Sequence, residues 1–148
     1  MAMTHNQILE KASRILEERA KYNRESMSTP TIVKEIALRR IGHLEYEVFI
    51  AFWLDAQNGL IDVQEMFRGT LTQTSVYPRE VVKSAMSHNA AGVIFAHNHP
   101  SGIVQPSSAD IHLTTQLKSA LSMVDVRVLD HIVCGTSSTC SMAETGHI

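Results

Sequence analysis

Residues 47–55 read EVFIAFWLD, an unbroken apolar run rich in β-branched and aromatic side chains. A run of that length without polar alternation predicts a strand buried on both faces, and so a sheet with helices on either side. Asn58-Gly59 follows, a strong short hairpin signal, and residues 60–69 are the expected returning strand. Further out, Pro78 opens a helix to about Ser87, with Val81, Val82 and Ala85 turned inward. Residues 92–96 (GVIFA) predict a short buried strand, and residues 97–106 a polar loop bearing Pro and Gly. Residues 107–123 predict a helix, residues 126–135 a strand, and Ser141 onward a short edge strand.

Upstream of the decisive run, Thr4 and Gln7 have capping-box spacing, and Ile8, Leu9, Ala12, Ile15 and Leu16 recur at helical intervals. Residues 26–30 break the pattern. Thr29 is placed as the cap of a second helix, Pro30 in its first turn, and Gly42 as its stop, after the stripe Ile32, Val33, Ile36, Ala37 and Ile41. The order is two helices, a hairpin, then βαβ-like alternation: an α/β sandwich built on a mixed β-sheet.

The 148 residues leave room for one folded domain. Thirteen Lys and Arg against fifteen Asp and Glu give a net charge of -2, which implies no general affinity for nucleic acid or an anionic membrane. Residues 48–148 are the more acidic part, with five basic side chains against eight acidic ones. No apolar leader or membrane-length run occurs, and a reducing cytoplasm is the expected compartment. Two cysteines make no disulfide framework, and Cys134 and Cys140 lack zinc-clip spacing. The eight histidines point any metal chemistry toward imidazole and carboxylate ligands.

The informative stretch is His97-Asn98-His99-Pro100, then Ser107 and Asp110. His97 and His99 leave the end of a buried strand two residues apart, so extended chain puts both imidazoles on one face. A loop turned by Pro100 and Gly102 can return the Asp110 carboxylate to the same point. Two His and an Asp are three ligands for a first-row metal, with a fourth position open to water, as in catalytic zinc sites. Ser107-x-x-Asp110 is also a helix-capping arrangement. Capping alone does not call for two His just upstream. Asn98 points to the opposite face and is expected to be structural, as are Trp53 and Phe49. His112 lies on another helix face from Asp110.

H-x-H, seven residues, Ser, two residues, Asp resembles the motif of the JAMM (MPN-plus) metalloproteases. Pro78-Arg79-Glu80-Val81 upstream, the His97–Gly102 wording with Pro106-Ser107, and Asp130-His131-Ile132 downstream resemble the RadC branch, in a short form similar to those on prophages and other mobile elements. The sequence departs at Ile103 and Val104, where that branch more usually has polar residues and a Pro. The resemblance implies a cytidine-deaminase-like JAMM (MPN) three-layer sandwich over residues 29–148, with residues 1–28 an N-terminal helix and linker. A role for the helix-hairpin-helix-like region of longer RadC proteins is not expected to transfer.

The resemblance further implies one Zn²⁺ per chain held by His97, His99 and Asp110, a general base in Glu47, and an oxyanion donor in Ser107. Glu45 is the alternative base, two residues earlier on the same face; Glu47 is preferred because the apolar run begins immediately after it. The implied activity is cleavage of a peptide or isopeptide amide by a metal-activated water. The alternatives are a metal-bearing domain that binds a partner without catalysis, and a DNA-processing hydrolase, which the charge disfavours. Asp130-His131 is read as a structural pair in preference to a support for the metal ligands. The amphipathic first helix can serve a homodimer contact, and the substrate stays open.

Overall fold

The computed structural model describes residues 2–71 and 73–148. The order is α1 (His5–Tyr22), α2 (Pro30–Ile41), β1 (Val48–Leu54), β2 (Leu60–Arg68), α3 (Pro78–Ser87), β3 (Gly92–Asn98), α4 (Ser108–Ser122), β4 (Arg127–Cys134) and β5 (Thr139–Ser141). The five strands lie in the order β2-β1-β3-β4-β5. Only β3 and β4 run parallel, joined through α4; the β1–β2, β1–β3 and β4–β5 pairs are antiparallel. This is the expected mixed sheet between helices.

Both faces of the sheet are covered, which is why β1 and β3 carry no polar alternation. Val48, Ile50, Phe52 and Leu54 of β1 pack with Ile94 and Ala96 against Val33, Ile36, Ala37 and Ile41 of α2. Phe49, Ala51 and Trp53 pack with Val93 and Phe95 against α3 and α4, through Val81, Ala85, Leu117 and Leu121. Helix α1 joins the first of these cores through Ala20 and Leu16. No helix among the described residues is long and apolar enough to cross a membrane.

Several local expectations are modified. The β1–β2 connection is a longer loop than a two-residue Asn-Gly turn. The Asp55 carboxylate accepts from the Gln57 and Gly59 amides, at 2.9 and 2.8 Å, while Asn58 takes the left-handed conformation at φ 62°. The segment before α2 pins this tip, with Met27 N–H donating to the Asn58 carbonyl. Thr4 and Gln7 form the expected capping box, whereas Thr29 makes no side-chain cap and Pro30 alone presets the first turn of α2. Gly42 ends α2 at a right-handed φ of -63°. Its missing side chain matters for closeness: a Cβ there would stand 2.9 Å from the Gly135 carbonyl. The last strand ends at Ser141 instead of starting there, because the Asp130 carboxylate takes the Ser141 hydroxyl and the Ala143 amide and turns the chain.

Candidate metal centre

The site lies where β3 leaves the sheet. His97 is the penultimate residue of β3, on the face that carries Val93 and Phe95, and its ring stacks on Phe49. His99 keeps the strand's course, its N–H donating to the Cys134 carbonyl at 2.8 Å. The following loop turns back so that the Ile103 carbonyl meets His99 Nδ1 at 2.7 Å. A carbonyl only accepts, so Nδ1 carries a proton and Nε2 is the nitrogen turned to the site.

Asp110 reaches the same point from the first turn of α4. Its N–H donates to Ser107 Oγ at 3.0 Å, and its Oδ2 accepts the Ser107 N–H at 2.9 Å, a complete capping box. The same carboxylate faces both rings: Oδ1 lies 3.2 Å from His97 Nε2 and Oδ2 lies 3.2 Å from His99 Nε2. The two Nε2 atoms are 3.0 Å apart. Tetrahedral zinc bonds of about 2.0–2.1 Å place their ligand atoms roughly 3.3 Å from one another; the nearest contacts match this, and one ligand atom from each residue lies within 4.8 Å of the others. One side chain thus caps the helix and faces both imidazoles.

The electrostatics agree with a cation position. Burial works to raise the Asp110 pKa, but the contacts with His97 and His99 outweigh it and hold the carboxyl well below the usual range. The same contact from Asp110, opposed by burial, raises His99 above the ordinary imidazole value. His97, His99 and Asp110 are a group able to hold a metal ion.

Glu47 stands just before β1. The antiparallel β1–β3 register ends where Phe49 faces His97, and Glu47, two residues before Phe49, pairs through its backbone with Gly69 and Thr70. Its Oε2 accepts the Thr74 hydroxyl at 3.1 Å, and its negative charge contributes to raising His99. Glu45 lies earlier and is exposed. Ser107 is exposed beside Asp110; its Oγ accepts the Asp110 amide, which leaves its own O–H to donate.

Asn98 points to the opposite face. It accepts the Val48 amide at 2.7 Å and donates to the Tyr46 carbonyl at 3.0 Å, fastening the entry of β1 to the exit of β3. The Asp130-His131 pair divides across the sheet, which corrects its reading as one structural unit. Asp130 organises the turn after β5. His131, fully buried, lies behind the metal group with Nε2 at 2.7 Å from His97 Nδ1 and Nδ1 at 2.6 Å from Thr114 Oγ1. Burial drives its pKa well below the ordinary value, reinforced by the proximity of His97. Thr74 and Thr114 escaped the sequence reading; the sole signal for Thr114 is its spacing of four from Asp110, the same helix face.

A mixed sheet between two helical layers, with a His-His-Asp group at a strand exit, defines a domain of the JAB (MPN) class. The chain matches the family described as RadC-like JAB domain over residues 27–147, and it belongs to that family. It is 55% identical over 141 residues to a UPF0758 protein of Nitrosospira multiformis, covering 95% of this chain and 62% of that protein. A UPF0758 protein of Dechloromonas aromatica is 58% identical over 124 residues, covering 83% of this chain and 55% of the relative. A UPF0758 protein of Burkholderia cenocepacia is 53% identical over 139 residues, covering 94% and 54%. The chain therefore spans somewhat over half the length of these relatives.

Proposed function

We propose that this chain is a zinc-dependent metallohydrolase that cleaves an amide bond, in a peptide or an isopeptide. The observation that supports it is the convergence of His97, His99 and Asp110 to 3.0–3.2 Å, with Glu47 near enough for its charge to act on His99. Zinc, held by those three side chains, would supply an electrophile for the scissile carbonyl and an acidified water. Glu47 then needs one free carboxylate oxygen. Thr74 holds Oε2 and leaves Oε1 to take the proton of the attacking water. As water adds to the carbonyl carbon and the C–N bond breaks, Glu47 passes that proton to the leaving nitrogen. The Ser107 hydroxyl donates to the developing oxyanion, a type of contact worth about 3–4 kcal/mol in other hydrolases. The acidic balance of residues 48–148 favours an amide substrate over a phosphate backbone.

Chelator-free purification should yield about one zinc per chain, and His97→Ala should lose it. Glu47→Gln should keep the zinc and lose at least about a hundredfold in turnover, the usual contribution of a general base. That variant also serves as a trap: what it retains from a peptide or protein-conjugate pool identifies the substrate. A wild-type chain that takes up no zinc sinks the proposal. Zinc without turnover, and equal partner binding by both forms, would instead make the chain a metal-bearing binding domain.

A further inference from the structure

We infer that His131 and Thr114 are positioning residues that hold His97 in the one tautomer able to take a metal. The inference rests on the metal reading above. A metal at His97 Nε2 needs the lone pair there, so the ring's proton must sit on Nδ1. From Nδ1 it is donated to His131 Nε2, 2.7 Å away. His131 must then carry its own proton on Nδ1, which meets Thr114 Oγ1 at 2.6 Å. Thr114, acting as acceptor there, sends its hydroxyl proton to the Asp110 carbonyl at 2.8 Å. Each donor meets one acceptor and no proton is left over.

The reverse order is equally specific. If Thr114 donates to His131 Nδ1, then His131 donates from Nε2 to His97 Nδ1, and the His97 proton moves to Nε2 among His99 and Asp110. That closes the metal position. The Asp110 carbonyl gives the Thr114 proton a competing destination and so favours the open order.

Packing leaves one further partner, Met142 Sδ at 3.8 Å from Thr114 Oγ1, a weak acceptor beside the Asp110 carbonyl at 2.8 Å. His131 is 0% exposed, with Phe49 and Phe95 set edge-on to its ring at centroid distances of 5.5 and 6.0 Å. Thr114 is 2% exposed. His99 is fixed by a backbone carbonyl, which has one role only. His97 is instead fixed by a side chain that can donate or accept, and the hydroxyl behind it decides which. The relay begins at one ligand and ends on the backbone of another, crossing β3, β4 and α4.

The test is the zinc dissociation constant of the full chain, by competition with a chromophoric chelator, for wild type, Thr114→Val and Thr114→Ser. Valine is nearly isosteric but removes the acceptor, and affinity should fall about 10- to 100-fold, as for other partners of metal-bound histidines. Serine keeps the oxygen and should restore most of it, which a packing role alone does not predict. Imidazole ¹⁵N NMR of zinc-loaded wild type supplies a readout that needs no variant: His97 and His131 should both be protonated at Nδ1. A proton on His131 Nε2 in that state, or equal zinc affinity in wild type and Thr114→Val, overturns the inference and leaves the metal reading intact. Failure of wild type to take up zinc overturns both.

Discussion

Asp110 and Asn98 show how much a single polar side chain settles near the site. Asp110 caps α4 and faces both imidazoles with one carboxylate, so the helix start and the third member of the His-His-Asp group share a position. Asn98 is 1% exposed and uses both ends of its amide, accepting from Val48 N–H and donating to the Tyr46 carbonyl. Asp in its place would bring a buried charge and no donor; Leu would orphan both backbone groups. Asn98→Leu should therefore cost about 1–3 kcal/mol in urea unfolding. Because the Asn98 bonds also fix the approach to Glu47, this variant should keep its zinc while turnover falls. Unchanged turnover would mean that Glu47 is positioned without Asn98.

Among the elements, β2 is tied to two helices by Asp62. Lys21 of α1 and His88, the C-cap of α3, each lie 3.1 Å from its carboxylate, and His88 stacks on Trp53. Burial works to raise the Asp62 pKa, but the hydrogen bonds from Lys21 and His88 prevail and lower it below 3.8. A carboxyl depressed in the folded state stabilises above its unfolded pKa, near 3.9, and the contribution is lost as pH falls through the folded value. The half-exposed setting limits it to about 1 kcal/mol or less. Asp62→Asn should thus lower stability at pH 7, with the gap from wild type shrinking below pH 4; a gap that persists at pH 3 would point to lost packing. The long elements were legible because two-sided burial leaves continuous apolar runs, as in β1 and β3. The turn after β1 was not, since the Asp55 side chain organises it in place of a two-residue turn. The metal group was legible because its members sit close together in sequence. His131, weighed as a support and set aside for a structural pair, joins His97 across 34 residues and Thr114 across 17, and only the spacing of four from Asp110 hints at Thr114.

Across the whole molecule, the sheet separates two apolar cores, and the His-His-Asp group sits at the end of its central strand on the α3/α4 side, outside both. His97 and His99 come from β3 and its exit, whereas Asp110 comes from α4, so an ion held by them adds a link between two layers that also meet through packing and the Thr114–His131 hydrogen bond. Ligand binding to the native state alone stabilises it by RT ln(1 + [L]/Kd), about 2.7 kcal/mol at a hundredfold excess over Kd. For a chain of this size each kcal/mol moves Tm by roughly 2–4 °C, so zinc should raise Tm by about 5–10 °C. Chelation should reverse the shift. Glu47→Gln should show the full shift, because Glu47 is proposed to act on water and not to hold the ion. His97→Ala should show little or none. The same rise in His97→Ala would place the stabilising zinc elsewhere on the chain and remove the link between β3 and α4 as its cause.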